Sequence, residues 1–190
     1  MRDSVDNLRA KILIAMPSLG DPNFSKTITL ICEHSIDQGA MGIILNLPTS
    51  LRLSELLNQI DIYNEKNTES GDTYVHYGGP VGMDQAFILH ADNNQFESTL
   101  NVSERLSLST SKDAFESISQ SKELKSTIAT LGYAGWTPGQ LEAEILSNSW
   151  LVVDFNHDLV FNTPPSKQWL AAGDSLGINL NLLKCDAGHA

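Results

Sequence analysis

"TITLICEHSIDQGAMGIILN", residues 27–46, is the stretch that most restricts the fold. Its first half alternates. On an extended strand Ile28, Leu30, Cys32 and His34 fall on one side, and Thr27, Thr29, Ile31 and Glu33 on the other. A loop closing on Gly39 follows, and the run Met41–Asn46 reads as the strand returning. A hairpin this early puts antiparallel pairing into the sheet. Strand and helix patterns interleave along the rest of the chain. The expected class is therefore an α+β domain with a mixed sheet, not a regular doubly wound one.

"KILIAMP" (residues 11–17) is a continuous apolar run stopped by proline, which suits a short buried strand, and "SLGDPNF" after it is a turn-rich loop. "LRLSELLNQIDI" places Leu53, Leu56, Leu57 and Ile60 at helical spacing, with Ser54 as the expected cap. "NEKNTESGD" is polar and reads as a mobile loop. "TYVHY", "QAFILH", "TIATLGYAGW", "WLVVDF" and "LVFN" read as strands. A second helix is expected after Thr110 or Ser111, with Ala114, Phe115 and Ile118 on one face. A third begins at Thr137, with Pro138 in its first turn and Gln140 as capping-box partner; a fourth follows "TPP" and ends near Gly173 or Gly177.

At 190 residues, 41% hydrophobic and 18% charged, the chain reads as one domain spanning 1–190. Its formal charge of −11 repels phosphate backbones, and its 12 Lys and Arg are scattered, so no direct nucleic-acid contact and no membrane contact is expected. The apolar run Ile12–Met16 is too short for a signal segment or a span, which points to the cytoplasm. Two cysteines, Cys32 and Cys185, form no Cys-x-x-Cys pair, and His76, His90 and His189 have no zinc-motif spacing; no metal and no cofactor is expected.

"LIAMPSLGDPNF", "ICEH", "GAMGIILN", "GGP", "FILH", "TSKDAFE", "LGYAGWTPGQLEAEI", "NSWL", "FNTPP" and "AGHA" together resemble the YqgE/AlgH family of bacterial proteins, over nearly the whole chain and in order. The resemblance implies a mixed sheet partly curled into a small barrel and flanked by helices, in a cytosolic protein. It implies no reaction; one family name comes from a genetic link to regulation of alginate production. It also implies that the tail bearing His189 docks in an ordered position. Leu47 stands where the family usually has a basic residue, and Ser35 where Asn is common.

Three blocks hold candidate chemistry. Cys32 and His34, two apart on a strand, would lie on one face with Cα atoms roughly 6.5 Å apart. An imidazole there would activate the thiol as a nucleophile or redox sensor; the other reading is a small buried hydrophobe sharing the face of Ile28 and Leu30. Gly78, Gly79 and Pro80 form either a plain turn or a backbone cradle for an anion. Trp136, Thr137 and Gln140 begin a helix whose free N–H groups suit an anion, unless Gln140 caps them. Glu142 and Glu144, two apart on that helix, read as a solvated face. His90, ending an apolar strand, reads as a hydrogen-bonded structural histidine. The leading expectation is a regulatory or interaction protein without assigned catalysis. A groove beside these blocks would take an unknown protein partner or a small anionic ligand, and any effect on transcription would be indirect. The alternative is a thiol-based redox sensor or nucleophilic enzyme using Cys32 with His34.

Overall fold

A computed structural model of the chain describes residues 7–62, 73–91, 94–120 and 125–183. The expectations for the polar stretch 64–72, for Cys185 and for the tail with His189 lie outside them. Ten strands run in the order β10-β1-β2-β3-β9-β6-β8-β7, with β4 and β5 joined through β9. They are β1 (Lys11–Ala15), β2 (Ile28–Ser35), β3 (Gly39–Ile44), β4 (Pro48–Arg52), β5 (Tyr74–Tyr77), β6 (Val81–His90), β7 (Thr99–Ser103), β8 (Leu106–Ser109), β9 (Thr127–Trp136) and β10 (Trp150–Asp154). The helices are α1 (Leu53–Gln59), α2 (Lys112–Gln120), α3 (Gln140–Leu146) and α4 (Pro165–Ser175). β5 pairs with β9 in parallel and the other described pairings are antiparallel, so the sheet is mixed.

The continuous apolar run of β1 follows from burial on both faces. Ile12 and Ile14 face one core with Ile28, Leu30, Cys32 and Trp169, while Leu13 and Ala15 face another with Ile31, Trp136, Leu141 and Trp150. The first core also takes Val102, Leu106 and Leu108 from the far end of the strand order, so the sheet curls round it without closing. A third core packs α1 and α2 on Val75, Ile88 and Ala129. Each fully buried Ile or Leu in these cores contributes about 1.5–3 kcal/mol.

Three local expectations change. "LVFN" is not a strand: Asp158–Asn162 coil into a π-helical turn, started by the Asn156 side-chain carbonyl accepting from the Leu159 amide at 2.9 Å. A short apolar run carries no period that separates strand from helix. α1 is capped not by Ser54 but through Glu55, whose carboxylate accepts from the Arg52 amide at 2.8 Å. α3 starts three residues after Thr137, behind Gly139 at φ 78°. "LSLS", before α2, is strand β8.

Candidate functional site

A one-residue bulge in β2 decides the geometry of "LICEHS". Ile31 pairs with Gly42 and Glu33 with Met41, leaving Cys32 as the inserted residue. Beyond a bulge the facing of side chains resets. Cys32 stays with Leu30 in the first core, but His34 turns to the side of Ile31, where Leu8 and the start of α3 lie. The expected shared face for Cys32 and His34 is therefore corrected: the two residues point apart.

Each is also fully occupied. Cys32 is 0% exposed and its thiol approaches the Leu30 carbonyl at 3.8 Å. Burial above all, then Glu33, pushes the thiol up to about 12; Arg9 and a backbone bond from Ile43 oppose this without cancelling it. His34 accepts from the Leu8 amide at Nδ1 (3.2 Å), so Nε2 carries the proton and donates to the Glu142 carboxylate at 2.7 Å. No ring nitrogen remains to take a proton from sulfur, and the Cys32–His34 nucleophile is not assembled. In a Cys185→Ser background, a thiol reagent at about pH 8 will label native Cys32 at least about 10³-fold more slowly than a free thiol, because so little thiolate forms. Labelling in the folded protein within tenfold of the free-thiol rate would contradict that.

His34 forms one wall of a cleft of about 290 Å³ with Arg9, Glu33, Gln38, Gly39 and Met41. The β-turn before β1 brings Arg9 there: Leu8 is buried beneath it, the Lys11 amide donates back to the Leu8 carbonyl, and Ala10 adopts a left-handed φ of 61°. The Arg9 side chain is exposed and forms no ion pair among the described residues. The far wall is set by close packing. Gly39 lies against the Trp136 carbonyl, and its neighbour Ala40 pairs with Trp136 across β3 and β9.

The other two blocks are distributed as follows. The Gly78 amide is already spent on the Leu131 carbonyl at 2.7 Å, and its own carbonyl accepts from Ile44 at 2.8 Å. Gly78 and Gly79 are small because β9 passes against them: an added Cβ would sit 2.2 Å from the Gly132 carbonyl oxygen or from the Tyr133 carbonyl carbon. Their smallness serves strand contact, and of the two readings the cradle loses the Gly78 amide, which β9 already holds. Pro80 is exposed beside them and does not line the His34 cleft. Trp136 is buried, and Gln140 accepts from the Thr137 amide at 3.0 Å, the expected capping contact, which closes that amide to a ligand.

Glu142 and Glu144, read from the sequence as a solvated face, are instead bonded within the fold. Glu142 holds His34. Glu144 accepts from two indoles through one oxygen, Trp136 Nε1 at 2.9 Å and Trp150 Nε1 at 2.8 Å, and takes Gln140 on the other at 2.9 Å. The signal was the pair of tryptophans bracketing a short acidic helix, since buried indoles need an acceptor. His90 is buried and bonded to Ser109 at 3.0 Å, as expected for a structural histidine. His76 donates Nδ1–H to the Leu45 carbonyl at 2.5 Å, and burial lowers its basicity. Among the described residues no cluster of three or more His, Cys, Asp or Glu could hold a metal ion, and no helix is long and apolar enough to cross a membrane.

Comparison with known proteins gives a consistent pattern. A family model described as AlgH-like matches residues 12–181. A UPF0301 protein of Methylococcus capsulatus is 45% identical over 189 residues, covering 100% of both chains. One from Thioalkalivibrio sulfidiphilus is 44% identical, covering 97% of each. The solution structure of the AlgH protein from Pseudomonas aeruginosa superposes with a TM-score of 0.79 at 39% identity, covering 100% of both chains. A crystal structure from Corynebacterium diphtheriae, with a TM-score of 0.71, 21% identity and coverage of 93% and 91%, shares the fold.

Proposed function

The chain belongs to the AlgH-like family, and from that premise and the cleft's geometry we propose that it is a regulatory or interaction protein that works by binding. The cleft beside His34 takes a small anionic group, and any effect on transcription is indirect. One observation carries this reading: an exposed guanidinium, Arg9, stands over a polar floor that His34 holds rigid between Leu8 and Glu142. A fixed floor with an exposed cation beside it suits recognition of a carboxylate or phosphate. The same floor offers no free base, because both His34 nitrogens are engaged.

The test is an amide-resolved NMR titration with inorganic phosphate and with acetate at low ionic strength. Binding on the order of 1 mM is expected, with shifts at Leu8, Arg9, Gly39 and Ala40. Arg9→Gln should weaken it about tenfold through loss of a charge-assisted bond. Shifts absent at saturating anion, or unchanged in the variant, would refute the assignment.

A further inference from the structure

A cavity runs along the open edge of the sheet. It encloses about 560 Å³, within the range of about 300–1,000 Å³ typical of ligand clefts. One wall is β10 with Phe155 and with Lys11 of β1 at its end, and the other is Leu159 with Ala171 and Leu176 of the α4 region. β10 is terminal in the strand order and pairs with β1 in unbroken register from Lys11–Asp154 to Ala15–Trp150. The Met16 amide donates to the Ser149 carbonyl. Antiparallel alternation then turns Leu151 and Val153 toward β1, and the N–H and C=O groups of Val152 and Asp154 outward. Among the described residues no strand meets that edge.

Proteins ordinarily blunt such an edge with lysine, proline or a bulge. The other terminal strand, β7, is interrupted by a register shift at Asn101–Ser103. β10, "WLVVD", has none of these devices. Unsatisfied ladder groups beside an apolar groove make the arrangement that accepts an added strand, with main-chain bonds giving affinity and alternate side chains filling pockets.

The geometry points to β10 as the docking edge for an extended, cationic segment of a partner protein. Every second residue of that segment is apolar and enters the groove between Phe155 and Leu176, and the intervening residues are basic. Charge selects this occupant over a second copy. The chain carries −11, so two copies repel where a basic strand is drawn in, and Asp154, exposed at the end of the edge and paired with Lys11 beside the groove, can exchange that partner for a lysine of the incoming strand. The groove shares no lining residue with the His34 cleft, so this surface stands or falls separately from the anion site.

The probe is a synthetic peptide of alternating lysine and valine, read by hydrogen exchange and amide shifts on the full chain. The peptide should slow exchange of the Val152 and Asp154 amides at least tenfold, while a glutamate–valine peptide does not. Val152→Pro removes an outward donor and leaves the β1 ladder intact, so it should abolish the slowing. Leu176→Lys, at a half-exposed site on the groove lip, tests the same contact with little risk to folding and should weaken binding at least tenfold. Exchange at Val152 and Asp154 unaffected by the lysine peptide would overturn the proposal. So would equal slowing by the glutamate peptide, or binding unchanged in Leu176→Lys. Slowing that grows with protein concentration alone would assign the edge to a second copy instead.

Discussion

Gly39→Ala will destabilise the protein by about 4 kcal/mol, a large part of the roughly 5–15 kcal/mol that holds a domain of this kind folded. Two effects add. The residue sits at φ 90°, where a side chain on an L-residue costs about 1–2 kcal/mol. The new methyl would also lie 2.0 Å from the Trp136 carbonyl oxygen and 2.9 Å from the Thr137 carbonyl carbon. Both are backbone atoms of β9 and the turn before α3, so neither can swing aside, and forced overlap of this kind costs about 1–3 kcal/mol or more. Two other glycines separate the terms. Gly139 has φ 78° with nothing within 4 Å of an added Cβ, so alanine there should cost only the backbone part, about 1 kcal/mol. Gly20 has neither a positive φ nor a neighbour within 4 Å, and Gly20→Ala should be neutral or slightly stabilising. Urea unfolding of the three variants checks the order. If Gly39→Ala costs no more than Gly139→Ala, the close approach of β3 to β9 is not what shapes the cleft wall.

That contact shows why the site was less legible than the fold. The hairpin of β2 and β3 could be read from alternation and a glycine, because both are local. The double burial of β1 was visible as an unbroken apolar run. The bulge at Cys32 left no trace, since the residues on either side keep the same alternation whether or not one is inserted. A single inserted residue was enough to separate a thiol from an imidazole that strand geometry had placed together. Gly78 and Gly79 resemble a turn or an anion cradle in sequence, yet what requires them is β9 passing at Gly132 and Tyr133, some fifty residues away along the chain. The capping contact between Gln140 and Thr137 was legible because it spans three residues. The partners of Glu142 and Glu144 were not. Spacing alone says only that two carboxylates two apart on a helix diverge. In the fold they diverge onto opposite sides of α3, one to His34 and the other to the indoles.

Glu144→Ala is expected to cost about 3 kcal/mol, because it leaves the Trp136 and Trp150 indole N–H groups buried without an acceptor, at about 1–3 kcal/mol each. Both rings are more than nine-tenths buried, and Phe24 packs against each of them, with centroids 6.3 and 5.3 Å away. Water therefore has little room to replace the carboxylate. Glu144→Gln keeps one oxygen able to face both indoles and loses the charge, so it should cost about 1 kcal/mol. Adding Trp150→Phe to Glu144→Ala removes one orphaned donor, so the double variant should be less destabilised than the two single costs predict together, a coupling of about 1–2 kcal/mol. Unfolding in urea followed by tryptophan fluorescence measures all four proteins. The consequence extends beyond stability. Glu144 anchors α3, α3 carries Glu142, and Glu142 fixes the ring that floors the cleft. Weak anion binding in Glu144→Ala, with the fold retained, would show that the buried indole pair sets the geometry of a site neither tryptophan lines. A loss in Glu144→Ala no larger than in Glu144→Gln would remove the indole bonds from that chain of support.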